Sequence, residues 1–134
     1  MSAAASTPRI LVIEDDAAVV TMLAELLGHE GFEVATAPDG LEGLLALRTV
    51  DAEAVLLDLM MPDVDGVRLL EQVLEEHHGV LPVPILVITG SPEGARRCRR
   101  LIGDENVFTK PFDPGELVSR LRARLPQHPE DGPT

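Results

Sequence analysis

Aromatic residues are almost missing from this chain, which has three Phe and neither Trp nor Tyr among its 134 residues. Sites that stack single-stranded bases on aromatic platforms are therefore poorly supported. Cysteine is nearly absent as well. Cys98 stands alone, so no disulfide can form within the chain. No apolar run approaches the length of a membrane span, and the opening MSAAASTPR has no apolar core of the kind a signal peptide carries. A cytoplasmic, reducing setting is the expectation. Positive charge is scarce: 11 Lys and Arg face 23 Asp and Glu, for a net charge of -12. Such a field repels a phosphate backbone, so direct nucleic-acid binding is not expected.

What is present is aliphatic and ordered along the chain. The length fits one domain with a real core. Short unbroken runs, Ile10 to Ile13, Ala54 to Leu57 and Ile85 to Ile88, suit strands covered on both faces of a parallel sheet. Phe32 to Thr36 and Val107 to Thr109 are weaker strands, placed toward the edges. Helical spacing joins Val19, Leu23, Leu26 and Leu27, with Gly28 as a stop. It recurs in Leu41, Leu44 and Leu45, in Val67, Leu70 and Leu74, and in Leu117, Leu121 and Leu125. Asp113-Pro114 caps the last helix. Pro92 to Leu101, with Gly94 and four arginines, reads as a short or mobile helix. Five βα units follow, hence an α/β sandwich with a parallel sheet and no second domain. Residues 1–8 and 126–134 are polar, proline-bearing and expected to be disordered, leaving a domain over 9–125.

Polar residues recur where these strands end. Glu14 and Asp15 follow the first, Asp58 ends the third, Thr89 ends the fourth and Lys110 follows the fifth. In an open parallel sheet those ends share one edge, where ligands bind. Three carboxylates brought together repel unless a cation compensates. A hard ion with oxygen ligands and retained water, magnesium, resolves the conflict. Magnesium and Lys110 together would neutralise an incoming phosphoryl group while Asp58 attacks phosphorus in line. Thr89 offers a hydroxyl to a phosphoryl oxygen.

ILVIEDD at 10–16, LLDLMMPDVDG at 56–66, VITG at 87–90 and TKPF at 109–112, in this order and spacing, resemble the receiver domain of response regulators in two-component signalling, of the single-domain chemotaxis-regulator type. The resemblance runs from Arg9 to about Leu125. It implies a flavodoxin-like three-layer (βα)5 sandwich with a five-stranded sheet in the order 2-1-3-4-5. It implies roles as well. Asp58 is the phosphoacceptor and a metal ligand, Asp15 a direct magnesium ligand, Glu14 a ligand through water, and Met60 a backbone carbonyl ligand. Thr89 is the switch hydroxyl, Gly90 the small residue leaving room for phosphate, and Lys110 the phosphate partner before a cis Pro111.

This chain departs from the family pattern at Val107, where an aromatic residue often couples to the switch hydroxyl. Phe108, one residue on, should face the other side of its strand. Met60 and Ser91 are not water-activating carboxylates, so slow loss of the phosphoryl group is expected. The implied donor is a histidine kinase or a histidine phosphotransfer protein, docking on Ala17, Ala18 and Thr21, and the output is a downstream protein target. Eight of the eleven Lys and Arg lie between Arg96 and Arg124, and a homodimer through the 90–124 face is a further expectation. The rival readings are a phosphorylation-independent interaction module and a fragment of a larger regulator or hybrid kinase. Turnover of an external substrate is not expected. The remaining polar features carry plainer assignments. Asp16 starts the first helix, Asp63 and Asp65 are turn residues, His29 and His77-His78 are surface, and Cys98 is an ordinary helix residue.

Overall fold

The computed structural model describes residues 7–59 and 64–125. The sheet is five-stranded and parallel: β1 (Arg9–Ile13), β2 (Glu33–Ala37), β3 (Ala54–Leu59), β4 (Ile85–Thr89) and β5 (Val107–Thr109), in the order β2-β1-β3-β4-β5. Helices α1 (Ala17–His29), α2 (Gly40–Thr49), α3 (Val64–Glu76), α4 (Pro92–Ile102) and α5 (Pro114–Arg124) cover it. A short 3-10 turn, Asp104–Asn106, precedes β5.

Strand alternation sorts the aliphatic residues into two cores. Leu11, Ile13, Val55, Leu57, Ile85 and Val87 pack with Val67, Leu70, Val73, Ala95 and Cys98 from α3 and α4. Ile10, Val12, Leu56, Leu86 and Ile88 pack on the other face with Leu23, Leu27, Leu117 and Leu121 from α1 and α5. The three central strands are thus apolar on both faces, which is why their sequences read as continuous runs rather than alternating ones. Val107 joins the first core and Phe108 packs against the second, as alternation requires. Two glycines set the helix-to-sheet spacing near the site. A Cβ on Gly43 would stand 2.7 Å from Ile13 Cδ1, and one on Gly66 would collide with Leu59 Cδ2.

Several boundaries differ from expectation. α1 runs through Gly28 to His29, because the helix ends on Glu30 backbone bonds to Leu27 and Gly28 rather than at the glycine. Asp58 lies inside β3, with Leu59 still paired to Thr89, so the acceptor candidate is held by ladder hydrogen bonds rather than by a loop. Asp65 falls in the first turn of α3 and not in a turn preceding it. α4 is a full helix of 11 residues, capped by Ser91 with Pro92 in its first turn. Met60 and Asp63 lie outside the described residues, as do 1–6 and 126–134 of the two expected tails. Among the described residues no helix is long and apolar enough to cross a membrane.

Candidate functional site

All five strands run the same way, so the carboxyl ends of β1, β3, β4 and β5 share one rim of the sheet. Glu14 and Asp15 leave β1 there. The turn is fixed locally, because the Asp16 N–H donates to Glu14 Oε2 at 2.8 Å while the Asp16 carboxylate caps α1 through the N–H groups of Ala18 and Val19. Glu14 is buried and Asp15 is exposed. A cavity of about 30 Å³ opens beside them, its described lining including Glu14, Asp15, Asp39 and Asp58. That volume suits an ion and its water, not an organic ligand.

Asp58 is the centre of the arrangement. Its side chain is 1% exposed and Oδ1 stands 2.9 Å from Lys110 Nζ, a contact between a buried carboxylate and a partly exposed ammonium. Oδ2 has no hydrogen-bond donor, and neither does Glu14 Oε1. The two acids lie within hydrogen-bonding reach, and the Glu14 carboxyl is pushed up to about 8, first by burial and then by the adjoining Asp58. Two buried acceptors facing one another without a donor need a shared proton or a cation.

The same orphaned oxygens test the fit of a magnesium ion. Glu14, Asp15 and Asp58 supply hard oxygen donors around a small cavity. No three His, Cys, Asp or Glu among the described residues close into a complete metal cluster. An ion that retains several waters does not require one. The residues present fit magnesium, and the further ligand expected of Met60 lies outside the described residues.

Thr89 and Lys110 are brought to the rim from β4 and β5, although neither is among the described residues lining the cavity. Thr89 is fully buried, and its Oγ1 accepts the Ser91 N–H at 3.0 Å. The Lys110 N–H donates to the Thr89 carbonyl at 2.9 Å, which ties the two strand ends together. The Lys110–Pro111 bond is cis. At Gly90 a Cβ would stand 3.9 Å from Lys110 Cβ, an ordinary van der Waals contact that places the glycine against the start of the lysine side chain. Val107 is buried in the α4-side core.

Sequence reading passed over two residues. Asp39 caps α2 by accepting the Glu42 N–H at 2.8 Å and also lines the cavity. Its place after β2 was the available signal. Ser91 was read only as a position near the phosphate, yet it holds Thr89 and caps α4. Outside the rim, His77 Nδ1 meets the Val73 carbonyl at 2.9 Å just past α3, and Cys98 is buried with its thiol pushed up to about 11 by desolvation. Neither has the surroundings of a ligand or nucleophile.

The family model "Response regulator receiver domain" matches residues 10–122. The DNA-binding response regulator MtrA of Mycobacterium tuberculosis is 39% identical over 124 residues, covering 92% of this chain and 53% of that protein. The alkaline phosphatase synthesis transcriptional regulatory protein PhoP of Bacillus subtilis is 35% identical over 118 residues, covering 87% of this chain and 48% of its own length. The chain therefore spans about half the length of these curated relatives. Among solved structures, a CheY-like receiver domain protein from Methanospirillum hungatei superposes with a TM-score of 0.73 at 28% identity, covering 88% of this chain and 93% of the other. The chemotaxis protein CheY4 of Vibrio cholerae gives 0.73 at 27% identity, covering 90% and 100%. The names of the curated relatives qualify the expectation that nucleic acid plays no part, although the matched portion is the receiver.

Proposed function

The chain belongs to the response regulator receiver domain family, and from that premise we propose that Asp58 accepts a phosphoryl group from a phosphohistidine donor in a two-component or phosphorelay system. One observation carries the reading. The Asp58 carboxylate is buried against the Lys110 ammonium at 2.9 Å, with its other oxygen lacking a donor on a cavity shared with Glu14 and Asp15.

In the reaction an Asp58 oxygen forms a bond to phosphorus as the phosphorus–nitrogen bond of the donor breaks, and the proton that histidine needs comes from solvent. Glu14, Asp15 and Asp58 would hold magnesium, which neutralises charge on the phosphoryl oxygens when bound. Lys110, freed from Asp58 as the new bond takes the carboxylate's charge, turns to a phosphoryl oxygen. Thr89 donates its hydroxyl to another, and Gly90 beside it adds no side chain to crowd the group. The product is the protein itself in a second state, so no external substrate is turned over. Neither Met60 nor Ser91 carries a carboxylate to activate water, so the acyl phosphate persists for minutes or longer.

The donor is a histidine kinase or a histidine phosphotransfer protein. Its docking face includes Ala17, Ala18, Thr21 and Met22 on exposed α1, where Met22 is 45% exposed. A downstream protein, or a second copy of the chain, reads the phosphorylated surface. The setting that fits these partners is cytoplasmic. The half-length match to MtrA favours one more specific reading, in which this receiver controls a regulator whose other half binds DNA.

Phosphotransfer from a phosphorylated donor or acetyl phosphate, compared with Asp58→Asn, tests the proposal. Uptake that is magnesium-dependent and absent from the variant is expected. Equal uptake by both proteins, or none by either, would defeat it. Decay of the product within seconds would defeat the expectation of slow reset.

A further inference from the structure

Leucine sits on both sides of α2. Leu44 and Leu47 pack in part against the core, and the helix buries only Gly43, whose missing Cβ lets it lie against Ile13. Leu41 and Leu45, one turn apart, point the other way and are 71% and 47% exposed. The outer positions of α3 are instead Arg68, Glu71, Gln72 and Glu75, the polar face expected of a helix in water. A helix that is apolar all round is one that is covered.

Beside these leucines runs a groove. A cavity of about 390 Å³ lies between α2 and α3, with Leu41, Leu44 and Leu69 as its apolar lining and Arg68 and Gln72 at its border. A second, of about 210 Å³, continues from Leu44 to Val73 and Pro82. Arg48 Nη2 donates to both Glu76 carboxylate oxygens at 3.0 and 2.9 Å, and Gln72 Nε2 donates to Glu76 at 3.3 Å. That network ties α2 to α3, so the groove is preformed. The exposed charge around it is mostly negative. Asp39, Glu42, Glu71 and Glu75 have no ion pair among the described residues, against Arg68 as the unpaired cation. The chain as a whole carries -12, so a cationic partner is favoured at long range as well.

We propose that the α2–α3 face docks a basic amphipathic helix of another protein. Its aliphatic stripe covers Leu41 and Leu45 and enters the groove, while Lys or Arg on its flanks meets Glu42 and Glu75. Exposed anchors one turn apart beside an apolar channel are what a helix laid in a groove engages. A second copy fits poorly, because its own basic helix, α4, presents arginines without an exposed aliphatic stripe. The face is separate from α1 and from the 90–124 surface, and the inference does not depend on the chemistry of Asp58.

The probe is a synthetic peptide amide about four helical turns long, with leucines along one face and lysines and alanines elsewhere. It is titrated into the full chain, methyl-labelled at leucine and saturated with magnesium, and followed by NMR. The Leu41, Leu44, Leu45 and Leu69 methyls should shift together along one saturating curve. Leu41→Gln combined with Leu45→Gln should leave the urea midpoint unchanged, since both positions are exposed and glutamine suits a helix, and should weaken binding at least about tenfold. Glu42→Lys combined with Glu75→Lys should weaken it about three- to tenfold without touching the leucines. Equal binding by a peptide of the same composition with its leucines scattered would overturn the proposal, leaving charge alone as the cause. Equal binding by a peptide with glutamate in place of lysine, or unchanged affinity in the leucine double variant, would overturn it too. So would shifts centred on α1 or on the rim around Asp58. Shifts of Leu41 and Leu45 that follow protein concentration without peptide would overturn it in favour of a second copy.

Discussion

Replacing Glu14 by glutamine should stabilise the metal-free protein at neutral pH, by an amount set by the pH. The carboxyl is raised from its ordinary 4.5 to about 8 by burial and by Asp58. Between those values the unfolded chain gives up a proton that the folded chain keeps. This contribution is fully present below pH 4.5 and is lost as pH rises through about 8. At 1.36 kcal/mol per unit, the cost at pH 7 is at most about 3 kcal/mol. Relaxation and water entry at the cavity reduce it, so about 1–2 kcal/mol is expected. Glutamine keeps an oxygen for the Asp16 N–H and removes the titration. The gain of Glu14→Gln should therefore be near zero at pH 4, grow through pH 5 to 8, and level off above. Magnesium should reverse the order, since it stabilises wild type more strongly than the variant. With no Trp or Tyr to report by fluorescence, urea unfolding followed by far-UV circular dichroism is the assay. A variant less stable than wild type at pH 7.5 without magnesium, or a difference that ignores pH, would refute the reasoning.

Lys110→Met should leave the buried Asp58 charge without its partner and cost about 3 kcal/mol, the low end for a broken buried pair because the lysine is partly exposed. Saturating magnesium should restore part of that loss in the same urea titration. Leu86→Ala, in the fully buried middle of β4, should cost about 2–5 kcal/mol in urea unfolding while leaving the magnesium affinity of the refolded protein unchanged.

The sheet and its rim were legible because burial on two faces writes unbroken aliphatic runs, and because each polar site residue follows such a run. Arg9–Ile13 and Val107–Thr109 show how short a strand can be and still declare itself when it delivers Glu14 or Lys110 to one edge. α4 was harder to read. Its pattern is dominated by four arginines, and Ala95 and Cys98 are too small to announce a buried face. The role of Ser91 was hidden for a related reason. It acts through its backbone N–H and a short hydroxyl, and neither leaves a periodic trace. Asp39 went unnoticed because its cap to α2 is a sufficient local reason for an acid there, and its place on the cavity wall depends on how β2 lies beside β1. Gly28 misled because a helix can carry a glycine when the next residues satisfy its last carbonyls.

Locating the modified residue tests the central claim most directly. After incubation with acetyl phosphate and magnesium, borohydride reduction converts a phosphorylated aspartate to homoserine, and peptide mass spectrometry finds it. Homoserine at position 58 alone, and only when magnesium is supplied, is the predicted outcome. Conversion at Asp15 or Asp39 instead, or equal conversion with the metal chelated, would contradict the account.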